Sequence, residues 1–303
     1  MTTRTRTVAA AIAVAATVTG TALLGAVGTA SAATGASHGT LTVSNGTKYV
    51  LIGGRKVNFG VPVRDLAWSP DGAKAAFVDG SGNLDIAHPD GSGRVVVAKN
   101  PGNQNWSHPT WQVTAKDSRY NIPAKDNLIF AARSGGVSRL KYVSAKAVHG
   151  TPKTLSLFGD PGPGGQLPQT GNVWPNAAGH YGTSVYANDH TGSVYIRDDY
   201  LRQQGTKLAK GSEPALSPKN EEEIVFVRSV AGHDHVLVDD LAHGSHVKDL
   251  TPHATTDYTE PAWSPDGKTL AVRTPSGTVT LRADGTGRPA KATSTTGLAA
   301  YRP

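Results

Sequence analysis

The sequence predicts an all-β chain, a six-bladed β-propeller of four-stranded antiparallel blades closed by its N- and C-terminal strands. Three observations carry this. A motif centred on a large residue recurs six times. Short apolar segments alternate with glycine-containing turns between the copies. The sixth copy holds a single strand, and the residues before the first copy supply three more.

The first and fifth copies are nearly identical: Leu66-Ala67-Trp68-Ser69-Pro70-Asp71-Gly72 and Pro261-Ala262-Trp263-Ser264-Pro265-Asp266-Gly267. Between them lie Pro109-Thr110-Trp111-Gln112, Asn172-Val173-Trp174-Pro175 and Pro214-Ala215-Leu216-Ser217-Pro218, and Ala299-Ala300-Tyr301-Arg302-Pro303 closes the series. The large residues at 68, 111, 174, 216, 263 and 301 are spaced by 43, 63, 42, 47 and 38. A period of roughly 40–45 is what a four-stranded blade requires. Trp68, Trp111, Trp174 and Trp263, taken as one register, are expected in the core between blades.

Each copy continues alike. In Pro-Asp-Gly, Pro fixes the first corner, Asp bonds nearby backbone and Gly takes the left-handed position. Next comes a short apolar strand, such as Ala75–Val78, Leu128–Ala131 or Ile224–Val227, and then a glycine turn. The third strand alternates, as in Leu84–Ala87 or Val194–Arg197, and a further turn leads to the fourth. Alternation over four or five residues between turns reads as antiparallel strand.

Thr40–Ser44, Asn45-Gly46, Thr47–Ile52, Gly53-Gly54 and Lys56–Phe59 read as three strands joined by two tight turns. Asn-Gly is a strong hairpin signal. Residues 298–302 are therefore expected as the innermost strand of a sixth blade, with 40–60 supplying the other three.

Pro-x-Trp-Ser-Pro-Asp-Gly-Lys, followed by an apolar strand and an Asp-containing turn, resembles the WD-type repeat of TolB-like propellers. The resemblance covers essentially all of 40–303 and implies six blades. The family's namesake also has an α/β domain before the propeller and an envelope lipoprotein partner. Too few residues precede the first strand here for such a domain, so that role is not implied.

Residues 1–32 read as a secretory signal. Arg4 and Arg6 precede an apolar stretch, Val8–Val27, and Ala30-Ser31-Ala32 places small residues at a cleavage site after Ala32. The expectation is a secreted protein whose residues 33–303 form one domain, without stable membrane insertion after cleavage. Losing Arg4 and Arg6 takes the formal charge from +7 to +5, spread along the chain. Nucleic-acid binders cluster their basic residues, so no nucleic-acid partner is expected. The chain has no Cys, which excludes disulfides, thiolate metal sites and a catalytic thiol.

Most chemical motifs reduce to structure. Gly35-Ala36-Ser37-His38-Gly39 fits the hydrolase pattern but lacks the strand and helix that pattern needs. His233-Asp234-His235 and His243-Gly244-Ser245-His246 flank one strand at opposite ends, too far apart for one ion. Asp79-x-Ser81-x-Asn83-x-Asp85 lacks the glycine and the closing glutamate of a calcium loop. Asp198-Asp199 and Asp239-Asp240 sit where the repeat calls for an acidic turn. Insertions at 114–126, 160–171 and 243–246 lengthen loops, where binding often resides.

One constellation remains. Asp65, His108, Gly171, Glu213, Glu260 and Leu298 occupy one register position, expected near a mouth of the central channel, where close carboxylates raise one another's pKa or hold a cation. Trp106 and Tyr258, in the links entering blades 2 and 5, are expected there as aromatic partner anchors. The expected function is a monomeric, non-catalytic scaffold, without cofactor or resident metal, binding a protein or an envelope or extracellular ligand. The alternative is a propeller hydrolase or lyase acting on an extracellular glycan.

Overall fold

The computed structural model describes residues 39–119, 123–158, 166–179, 181–197 and 205–303. The signal segment 1–32, residues 35–38 of the 35–39 motif, Asp198-Asp199, residues 120–122 of the first insertion and residues 160–165 of the second lie outside them. Among the described residues, six four-stranded antiparallel sheets account for all the strands, and one 3₁₀ turn is present.

Strands β1 (Thr40–Ser44), β2 (Tyr49–Ile52) and β3 (Arg55–Asn58) come first. Blade 1 is β4 (Arg64–Trp68), β5 (Ala75–Val78), β6 (Leu84–Ala87) and β7 (Val95–Ala98). Blade 2 is β8 (Asn105–Thr114), β9 (Lys125–Ser134), β10 (Val137–Ser144) and β11 (Lys153–Thr154). Blade 3 is β12 (Asn172–Ala177), β13 (Ser184–Asn188), β14 (Ser193–Arg197) and β15 (Gly205–Lys210). Blade 4 is β16 (Ser212–Leu216), β17 (Glu223–Val230), β18 (His233–Asp240) and β19 (His246–Asp249). Blade 5 is β20 (Thr259–Trp263), β21 (Thr269–Thr274), β22 (Gly277–Arg282) and β23 (Ala290–Thr293). Finally β24 (Leu298–Arg302) pairs with β1, from Thr40 opposite Arg302 to Ser44 opposite Leu298, completing blade 6 in the order β24-β1-β2-β3. The expected closure is therefore present.

The turn chemistry is as the sequence requires. Ser69 Oγ donates to Asp71 Oδ1 (2.5 Å), which also accepts the Ala73 N–H (3.0 Å), while Ser69 Oγ accepts the Lys74 N–H (2.9 Å). Ser264 and Asp266 repeat the arrangement in blade 5. Gly72 has φ +65°, and a Cβ there would meet the Pro303 carbonyl at 2.9 Å, so the turn of blade 1 accommodates the chain end only as glycine.

The core lies between neighbouring blades. Phe77, Phe130, Tyr186 and Phe226 hold one register position in the second strands of four blades, and all are almost fully buried. Residues of blades 1 and 2, blades 2 and 3, and blades 4 and 5 form shared apolar clusters. Each buried phenylalanine contributes about 1.5–3 kcal/mol of transfer free energy. The motif tryptophans add directed bonds. Trp111 Nε1 donates to the Ala67 carbonyl (3.1 Å), Trp263 Nε1 to the Ala215 carbonyl (3.0 Å) and Trp68 Nε1 to Thr42 Oγ1 (3.1 Å). Each indole thus reaches back to the preceding blade, which explains its recurrence. Trp174 breaks this pattern: it is only half-buried and belongs to the channel.

Candidate functional site

The innermost strands of blades 1 to 5 each carry a β-bulge. Two residues of β4, β8, β12, β16 and β20 oppose one on the neighbouring strand, with the slips at 64/67, 107/110, 173/176, 212/215 and 259/262. The first extra residue is left-handed in every case: Asp65 (φ 56°), His108 (φ 51°), Trp174 (φ 52°), Glu213 (φ 51°) and Glu260 (φ 53°). Glycine is the usual occupant of such a position. A side chain there costs roughly 1–2 kcal/mol, and such strain concentrates at functional sites. β24 pairs with β1 without a slip, so Leu298 holds the equivalent place without the bulge.

This geometry corrects the expected ring at blade 3. Trp174, not Gly171, takes the position of Asp65 and Glu213, and Ala177 takes that of Trp68. Alignment on the large residue shifted blade 3 by three. The better signal was the proline after the left-handed residue, in His108-Pro109, Trp174-Pro175, Glu213-Pro214 and Glu260-Pro261.

His108, Trp174, Glu213, Glu260 and Leu298 line one cavity of about 990 Å³ that runs along the six innermost strands. Its wall carries small residues at the position two after each of the five bulges, Ala67, Thr110, Asn176, Ala215 and Ala262, and at Ala300 two after Leu298. That choice leaves the space. Farther along, Pro70, Pro218, Pro265 and Pro303 border the cavity, with Tyr181, Tyr301 and Lys116–Ser118 of the blade 2 insertion. The hairpin of that insertion keeps pairing out to Thr114 opposite Lys125, and of the residues between them 115–118 line the cavity.

The bulge residues are coupled from blade to blade. Asp65 Oδ2 accepts the His108 N–H (3.2 Å), and Glu213 Oε2 accepts the Glu260 N–H (2.6 Å). The His108 ring lies on Trp174, centroids 3.6 Å apart. Glu260 Oε1 accepts from the Arg273 guanidinium (2.7 Å), whereas its buried Oε2 has no hydrogen-bond partner. His108 Nδ1 is likewise buried without one. Burial pushes the Glu213 carboxyl up to about 7; the nearby Glu260 and Asp234 charges add to this, and Arg273 and the Glu260 N–H oppose it. Burial also raises Glu260, against Arg273. Burial lowers the His108 pKa, so its imidazole is neutral at pH 7.

The other expected residues separate from this site. Trp106 is 2% exposed, bonds Gln104 Oε1 through its indole (2.7 Å) and packs on Phe130. It lies inside β8 and is core, not a surface anchor. Tyr258 is half-buried against the apolar cluster of blades 4 and 5. His235 is buried and paired with Asp249 (2.8 Å); His243 pairs with Asp240 (2.6 Å) at the far end of β18. Asp79 bonds the Ser81 and Asn83 N–H groups, and Asp85 pairs with Arg94 (2.6 Å).

No protein-family model and no curated protein matches the chain. Solved structures do. A chain of the crystal structure of a nidogen/laminin complex superposes with a TM-score of 0.57 at 9% identity, over 87% of this chain and 98% of that one. The β-propeller domain of Myceliophteria thermophila Cps50 (Swd1) gives 0.50 at 12% identity, over 88% of each. The likeness is one of fold. A β-propeller fold is compatible with a protein-binding scaffold.

Proposed function

We propose that this chain is an exported, TolB-like propeller that acts as a non-catalytic, monomeric binding scaffold, taking a ligand or part of a protein partner into its central channel. The single observation behind this reading is the cavity of about 990 Å³, walled by small residues and bordered by polar side chains held on strained bulges. A concave site with a few convergent polar groups is where binding concentrates. The repeat Trp-Ser-Pro-Asp-Gly supports TolB-likeness, and the segment 1–32 supports export.

The test compares the native protein with Ala262→Leu, which narrows the channel without touching the polar groups. Binders recovered from the culture medium and cell envelope of the producing organism are expected to be lost with Ala262→Leu at unchanged circular dichroism. Retention of every binder would refute the channel. Mass analysis of the exported protein should find Ala33 first; a product that still carries 1–32 would refute cleavage.

A glycan hydrolase or lyase is the second reading. Its support is the pair Glu213 and Glu260, both raised by burial, with Glu213 pushed up to about 7 and so suited to exchanging a proton near neutral pH. Turnover of extracellular polysaccharides that disappears in Glu213→Gln with the fold intact would favour it over the scaffold.

A further inference from the structure

We propose that the channel recognises a primary ammonium group on an apolar stem, the ammonium seated on Glu213 and Glu260 and the stem lying along the alanine and proline wall. The proposal rests on the channel-binding reading above and gives it a ligand class.

Charge comes first. Glu213 is surrounded by Glu260 and Asp234, against Arg273 alone. Arg273 occupies only Glu260 Oε1, and Oε2 of that carboxylate is buried without a hydrogen-bond partner. A buried, unpaired carboxylate oxygen costs free energy that a charged donor recovers. His108 is an independent pointer, since it is not an acid. Its Nδ1 is buried and unpartnered, it lines the same cavity, and its neutral ring can accept an N–H.

The acceptors therefore call for a cation that donates hydrogen bonds. A bare metal ion needs several ligands converging on one point. Among the described residues no group of three or more His, Asp or Glu side chains is placed to hold one. An ammonium is satisfied by one carboxylate and a few further acceptors. Beside these acceptors the wall is apolar, with Ala67, Ala215, Ala262 and Ala300 alongside Pro214 and Pro261. A stem of several methylenes gains by leaving water there.

Seating the cation favours ionised Glu213. With that carboxyl at about 7, flanked by Glu260, Asp234 and Arg273, binding releases a proton below that pH. Affinity then rises up to tenfold per pH unit below 7 and levels off above it.

The experiment is calorimetric titration of the purified protein with n-hexylammonium, with hexanol and hexanoate as uncharged and oppositely charged controls. Saturable binding of the ammonium alone is expected, weakened at least tenfold by Glu213→Gln with Glu260→Gln at unchanged circular dichroism. Ammonium binding that is absent, or that survives both substitutions, overturns the proposal. A lysine-tipped peptide separates the sources: tighter binding than hexylammonium identifies a protein partner's lysine, and equal or weaker binding a free amine. If captured binders depend on Ala262 while hexylammonium does not bind, the ligand class fails and the channel reading stands. If neither depends on the channel, both fail.

Discussion

A carboxyl group buried beside other carboxylates holds its proton more tightly than in water, and Glu213 is so placed. Between its ordinary 4.5 and about 7 the folded chain keeps a proton that the unfolded chain has released. Unfolding is therefore favoured as pH rises through that window, and the loss is complete above it. Glu213→Gln keeps an oxygen for the Glu260 N–H and removes the charge. It should raise the melting temperature by roughly 3 °C or more at pH 8 and by much less at pH 5; equal shifts at both, read by calorimetry, would contradict the assignment. The tryptophans make a second residue-scale test. Trp263→Ala removes a buried indole and its bond to Ala215, and should cost about 3–5 kcal/mol in urea titrations. Trp174→Ala, at a half-buried and strained position, should cost less than half as much. Sequence similarity set these two tryptophans in one class. Only the backbone slip before Asn176 separates them, and the spelling of Trp174-Pro175 beside Glu213-Pro214 is its one written trace.

At the scale of strands and turns the sequence was far more legible. Glycine turns, Asn45-Gly46 and the alternating segments located most strands, because a residue that must adopt positive φ or pack between blades leaves a compositional mark. A bulge leaves a fainter one: Asp, His, Trp and Glu all occupy it, and the shared mark is the proline that follows four of the five. Strand length was also hidden. β8 starts at Asn105, which draws Trp106 out of the expected link and into the core. The closing strand supplies the element-scale prediction. β24 pairs along its whole length with β1, and Arg302 donates to the Gly72 carbonyl (2.8 Å) with its guanidinium over Trp68. Deleting 298–303 should lower the melting temperature by about 10 °C or more, since it exposes an edge of β1 and uncovers Trp68; an unchanged melting curve would mean that the ring does not depend on this seam.

Across the whole molecule, the architecture could be read from repetition, whereas the site required coordinates, because the channel is built from one position in each blade and depends on five local slips of register. The fold is also slow by construction. Strands adjacent in one sheet come from opposite ends of the chain, and contacts between distant residues must form before the ring is complete. Refolding from urea should take milliseconds to seconds or longer, and removing 298–303 should speed unfolding more than it slows the early phase. The seam has a mechanical meaning too. Around the ring the blades follow one another along the chain, while β1 and β24 are joined by non-covalent contacts, with Thr40 facing Arg302 at one end of the ladder. A pull that separates residues 40 and 302 loads those contacts one after another, as in opening a zipper, and never all at once. A propeller that resists heat through its inter-blade core would then yield to a small force applied at its ends, and blade 6 would be the first to open.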